Sequence, residues 1–371
     1  MMRRDIGIAA AAVMFLAAPH IGVGVVPSAQ GDASAVLARS LSTTERRLGP
    51  GAPELLPILG RLARLRFEQA EFAEATALRH RSLKIAIAAY GNASVPAAEA
   101  MTALARLYIE RRRYLDAEPL AIAATGILRD RLAPSDPALT SVMVDRARIS
   151  LARGDDADAR KWAEAAVGLD EKNHSLDEKT HGLDEKSHDA PRSDGLRVLG
   201  AVLTAEGKFE QSERVLRQAL ARDRATGDKL ATARSLAQLG NTYLRQKRFA
   251  EALPPIEEAA WIDQGHLAAA HPLIAEDFRD LGLIYLATNR PGDAQKALHT
   301  AIDILERGAG RDTPTRGYIE LDLARAEHAL GHEDKARSLF NDARRILNAA
   351  EDEERDRQRQ ASARFCALPV V

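Results

Sequence analysis

The chain is poor in cysteine, in aromatic side chains and in net charge. One thiol, Cys366, stands in 371 residues, so no intramolecular disulfide can form and stability must come from packing. It sits near the C-terminus, either as an inert tail residue or as a partner for an intermolecular disulfide. Aromatic residues make up 4% of the chain, which fits thin cores between alanine-rich helices better than one large globular core. Lys and Arg number 52 against 53 Asp and Glu, for a net charge of −1. That balance argues against a nucleic-acid coat or a polybasic membrane surface and leaves room only for a local basic groove.

Catalytic signatures are missing as well. There is no Gly-x-Ser-x-Gly elbow, no Walker-type phosphate loop and no His-Glu-x-x-His. Gly308-Ala309-Gly310 reads as a loop between helices, since no strand precedes it. His328 and His332 are four apart, but Gly331 marks a turn between them. Asp155, Asp156 and Asp158 open a helix, where acidic residues suit the positive end of the dipole. They lack the glycine and terminal glutamate of a calcium loop. The expectation is a protein without enzymatic activity, cofactor or metal.

Long uncharged runs are absent except at the N-terminus. Arg3-Arg4 precedes a stretch from Ile6 to Val26 without Asp, Glu, Lys or Arg, and small residues follow at Ser28-Ala29 and Ala33-Ser34-Ala35. This is the pattern of an export signal over residues 1–29, cleaved after 29 or 35 and placing the chain in the periplasm or outside the cell. An uncleaved anchor is the competing reading, because the run is just long enough to span a bilayer. No cysteine near the cleavage zone offers a lipid-anchor site. Residues 30–50 read as a linker or capping helix.

What the chain does have is repetition. Seven copies of one pattern follow one another, mostly at a spacing of 42 residues: Leu62-Ala63, Leu104-Ala105, Arg146-Ala147, Leu199-Gly200, Leu239-Gly240, Leu281-Gly282 and Leu323-Ala324. A second small residue follows about a dozen positions later: Ala75, Ala117, Ala159, Ser212, Ala252, Ala294 and Ala336. A third lies seven further on, at Ser82, Ala124, Ala166, Ala219, Ala259, Ala301 and Ala343. Apolar residues recur at steps of three and four, the mark of amphipathic helices. The pattern breaks near 69–72, 111–114, 153–156, 206–209, 246–249, 288–291 and 330–333, with Gly154, Gly207 and Gly331 placed to end helices. Each copy is therefore a helix pair that buries its apolar stripe only against its neighbours.

The motif Phe278, Leu281, Gly282, Tyr285, Ala294, Leu298, and its counterpart Leu236, Leu239, Gly240, Tyr243, Ala252, Ile256, resembles the tetratricopeptide repeat family. The eight residues added to that family's period of about 34 lengthen each unit by roughly 12 Å of helix. With Asp116-Ala117-Glu118-Pro119-Leu120, and with Asp136-Pro137 and His271-Pro272 opening units, the copies are similar to the long repeats of kinesin light chains. The resemblance covers about residues 50–350. It implies an all-α fold, a right-handed α-solenoid superhelix of about seven helix pairs, whose concave face binds peptide segments of partner proteins.

Between the third and fourth copies the spacing stretches to 53 residues, around a tandem heptad whose copies begin at Leu169, Leu176 and Leu183. One apolar residue per heptad is too thin a stripe for a coiled coil. Its histidines, His174, His181 and His188, stand seven apart, about 10 Å along a helix, too far to share an ion. A solvated helix extension or loop is expected over 169–189. Residues 351–371 read as a charged continuation of the last helix followed by an apolar tail.

Two places after the signature leucine, the resemblance puts side chains in the concave groove. Here that position holds Arg64, Arg106, Arg148, Ala201, Asn241, Leu283 and Arg325, with Arg197, Arg234 and Arg279 at neighbouring offsets. Guanidinium groups bind carboxylates through paired hydrogen bonds, and an Asn amide can bond an extended backbone. A basic ladder for an acidic or extended partner segment is one expectation. The other is that these arginines pair with acidic residues of adjacent units. An alternative function is an accessory subunit of a cell-envelope enzyme or secretion assembly, docked through the convex surface and the heptad insert.

Overall fold

The computed structural model describes residues 29–181, 193–308 and 313–366. The uncharged segment 6–26, the third heptad and the last five residues, 367–371, lie outside the described residues. Those described are helical, without a strand. A leading helix, α1 (Ala29–Leu48), and a short 3-10 turn (Pro53–Leu55) precede seven helix pairs. The pairs are α2 (Leu56–Glu68) with α3 (Phe72–Tyr90), α4 (Val95–Glu110) with α5 (Tyr114–Arg131), and α6 (Pro137–Ala152) with α7 (Asp156–His181). They continue with α8 (Asp194–Ala205) and α9 (Phe209–Thr226), then α10 (Lys229–Arg245) and α11 (Phe249–His266). The last two are α12 (Pro272–Ala287) with α13 (Pro291–Gly308), and α14 (Pro314–Ala329) with α15 (Glu333–Cys366). The first heptad and most of the second extend α7 as helix, and α15 carries the chain through its charged stretch.

All seven breaks within pairs fall where the sequence pattern stops, and each is built the same way. Ala70, Arg112, Gly154, Gly207, Lys247, Asn289 and Gly331 take left-handed φ values between +55° and +81°. The following amide reaches back five residues to a helix carbonyl, as in Glu71 N–H to Arg66 (2.8 Å), Arg248 N–H to Tyr243 (2.9 Å) and His332 N–H to Glu327 (2.9 Å). This satisfies carbonyls that the helix end would otherwise orphan. Five of the seven first helices begin on side-chain caps. Ser94, Asp136, Asp228, His271 and Thr313 accept from backbone N–H groups two or three residues on, at 2.9–3.4 Å.

The small residues are the packing surface. Ala75, Ala117, Ala159, Ser212, Ala252 and Ala294 are fully buried, as are Ala124, Ala166, Ala219, Ala259, Ala301 and Ala343. Where the first helix carries glycine, the second fills the space. A Cβ on Gly200, Gly240 or Gly282 would stand 2.4–2.6 Å from Leu216, Ile256 or Leu298. Where the first helix carries Ala105 or Ala147, the facing register holds Ala121 or Ala163. Volume is thus conserved across the five inner pairs, as close packing demands. The tyrosine copies share another contact: Arg113, Arg248 and Arg290 stack over Tyr108, Tyr243 and Tyr285 at 4.5–4.7 Å.

The array coils until it meets itself. The turn before α12 reaches the end of α2, where the Ala268 N–H donates to the Glu68 carbonyl at 3.0 Å across 200 residues of sequence. His271 packs edge-on against Phe67 and Phe72, with ring centroids 5.3 and 5.6 Å away. Arg112, at the left-handed turn between α4 and α5, pairs with Glu276 of α12 at 2.9 Å.

Candidate functional site

This closure leaves a cavity of about 1020 Å³ on the inside of the coil, lined by residues of the first, second, fourth, fifth and sixth units. The first helices supply most of its wall: Arg64 and Phe67 from α2, Arg106 and Glu110 from α4, Asp194 and Arg197 from α8, and Arg234 from α10. Second helices add Arg79 from α3, Asp223 from α9 and Asp263 from α11. The wall carries both signs of charge, and most of the charges are already matched.

The expected ladder of free arginines is revised by the pairs the structure shows. Arg106 holds the fully buried Asp145 of α6 through two nitrogens, each at 3.3 Å. Arg148 reaches back to Glu110 of α4 at 2.7 Å, completing a reciprocal pair of bridges between neighbouring first helices. Arg148 does not line the cavity. Arg197 is tied to Asp223 at 2.8 Å and also to Asp194. Arg279 pairs with Asp322 of α14 at 2.7 Å, and Arg325 bonds the same carboxylate at 3.4 Å. These five are struts within or between units. Asn241 and Arg279 also lie away from the cavity wall.

The remaining two of the sequence set face the cavity differently. Arg64 bonds Glu68 one turn along its own helix at 2.9 Å, yet 70% of its side chain is exposed. Arg234 is exposed and has no ion-pair partner within bonding distance among the described residues; it acts on Glu110 and Asp263 through space. Burial opposes ionisation of Glu110, but Arg148 and Arg234 outweigh it and hold this carboxyl down at about 2. Asp263 goes the other way, pushed up to about 6 by burial despite Arg234. Sequence reasoning missed Arg79, because it looked only along first helices.

No metal-binding group of three or more His, Cys, Asp or Glu occurs among the described residues, and no described helix is long and apolar enough to cross a membrane. His328 and His332 face different carboxylates, Glu333 at 2.8 Å and Glu327 at 2.6 Å.

Comparison with known proteins agrees with this architecture. Residues 193–263, spanning α8 to most of α11, match the tetratricopeptide repeat family. No curated protein sequence matches the chain closely enough to count as a relative. Among solved structures, it is similar to aspartyl phosphate phosphatase F of Bacillus subtilis, with 13% identity, a TM-score of 0.51, and coverage of 82% of this chain and 73% of that one. It is also similar to the nearly identical TPR-like repeats of a putative kinesin light chain from Podosopora anserina. That match has 21% identity, a TM-score of 0.45, and covers 59% of this chain and 98% of the other. The pairs on both sides of the matched stretch repeat its turns and small-residue seams, so the array has the architecture of an α-solenoid of tetratricopeptide-like helix pairs.

Proposed function

We propose that the protein is an exported, non-catalytic scaffold that takes an acidic or extended segment of a partner protein inside its coil. The observation that supports this reading most is the cavity, which presents the exposed guanidinium groups of Arg64 and Arg234 beside a wall most of whose charges are matched. Guanidinium groups that remain accessible in a concave, partly desolvated surface favour carboxylates. Tetratricopeptide arrays serve as protein-binding scaffolds, and this chain's sequence carries no catalytic signature. Export rests on the uncharged run behind Arg3-Arg4.

Crosslinking from a cell-envelope fraction, followed by identification of the partner, tests the reading. The double variant R64E/R234E should release that partner while keeping wild-type helicity, and raising salt should weaken capture. Retention by the double variant would rule out the cavity. A second reading places the partner on the outside. Trp261 is 74% exposed, and it continues the face of α11 on which Pro254 and Glu258 border a groove of about 640 Å³. Loss of the partner in W261A, with retention in R64E/R234E, would favour that surface.

A further inference from the structure

Four residues after the second small position, the second helices of the inner units set a side chain into the groove of their own pair, whereas Phe340 at this register of the last unit is half exposed. In units two to six these are Ala121, Ala163, Leu216, Ile256 and Leu298, all fully buried and apolar. In the first unit the same register holds Arg79. Its guanidinium is half-buried, lines the cavity, and has no carboxylate within ion-pairing distance among the described residues. Gly60 on the facing helix lies beside it, where an added Cβ would make an ordinary contact of 3.6 Å with its Nη1. The charged group that bears on it most is Arg106, of the same sign, and that guanidinium is already committed to Asp145.

A cation at a core register, desolvated and unmatched, weakens the fold, whereas an apolar residue would strengthen it. Local choices that oppose the global fold mark places where function overrides packing. We propose that Arg79 is the anchor that takes one carboxylate of the acidic segment, with Arg234, which lines the same cavity, as its second contact. This rests on the acidic-segment reading above and names the residue that determines it. The carboxylate has two sources, an acidic side chain or the end of a chain.

The test uses fluorescence anisotropy of labelled hexaglutamate, with a free or an amidated C-terminus, against the full chain. Wild type, R79L, R79Q and the exposed control R214Q are compared, with circular dichroism to verify helicity. R79L should weaken binding about tenfold or more and, at the same time, raise the melting temperature. R214Q should do neither. R79Q, which keeps a polar side chain, should weaken binding to a similar degree. Equal losses with both peptides assign a side-chain carboxylate, and a loss confined to the free C-terminus assigns the chain end. Unchanged binding in R79L and R79Q, or a lower melting temperature in R79L, overturns the role of Arg79 while leaving the acidic-segment reading intact. Failure of wild type to bind either peptide overturns both.

Discussion

Asp277 sits where the preceding unit has Ser235. Ser235 donates its hydroxyl to Asp223 at 2.5 Å, joining α9 to α10. The equivalent joint between α11 and α12 brings Asp277 toward Asp263, a like charge where a donor stood, and leaves one buried Asp277 oxygen without a partner. Burial first, and then Asp263, Asp280 and Glu276, push its carboxyl up to about 9. A carboxyl that titrates higher folded than unfolded weakens folding as pH rises above its unfolded value, and the loss is complete only above the folded one. Asp277→Asn should therefore stabilise the protein at pH 7, by roughly 2–4 kcal/mol, and the gain should vanish near pH 4. Urea denaturation at both pH values measures it. An equal gain at pH 4 would mean that packing, not ionisation, is responsible.

At the scale of helices and turns, most of the architecture was legible. Helix breaks are encoded locally, by the stop of a 3.6-residue pattern, so all seven were placed correctly from sequence. The turn conformation was legible only at Gly154, Gly207 and Gly331; four other turns put Ala70, Arg112, Lys247 and Asn289 into the left-handed region. Lys247 is exposed and has no ion pair among the described residues, so relief of its backbone should be the only large effect of Lys247→Gly. A gain of about 0.5–1 kcal/mol is expected by thermal melting. A loss would mean that glycine's greater unfolded-state entropy dominates.

The seam between paired helices makes a complementary prediction. Gly240→Ala should cost about 1–3 kcal/mol, because its methyl would stand 2.4 Å from Ile256. Adding Ile256→Ala to Gly240→Ala recreates the Ala105–Ala121 seam. Its extra cost should be well below that of Ile256→Ala alone, since the new methyl occupies part of the cavity. Additive losses would show that the two residues do not share one space.

The arginine struts mark the boundary of what sequence conveyed. Arg106 and Asp145 lie 39 residues apart, and Arg148 and Glu110 lie 38 apart. Each separation is about one unit less one helical turn, so opposite charges at that offset were a readable signal. Reading only the arginines' own register hid it. Glutamate at 106 or 148 would set like charges against Asp145 or Glu110, so such variants should unfold the array and cannot serve as tests of binding.

At the scale of the whole molecule, coiling was the property least accessible to sequence, because it joins groups 200 residues apart. Its contact is also pH-sensitive by construction. His271 caps α12 by accepting from the Leu273 N–H, and burial, reinforced by Arg234, pulls its imidazole down to about 4 against the opposing pull of Glu110. Protonation would remove the cap and place a charge between Phe67 and Phe72. With the folded value below the unfolded one, the contact contributes fully above about pH 6.5 and is lost as pH falls toward 4. Opening of the coil would also dismantle the cavity, since its wall draws on units from both sides of the contact.

Coiling of the array onto itself is the claim on which the cavity and its ligand depend, and a distance measurement tests it directly. In a Cys366→Ser background, spin labels at Glu71→Cys and Ala269→Cys flank the Ala268–Glu68 hydrogen bond from exposed positions. Double electron–electron resonance at pH 7.5 should give one short, narrow distance that broadens and lengthens as pH is lowered toward 4. A long or broad distribution at pH 7.5 would contradict the closed coil, and with it the cavity.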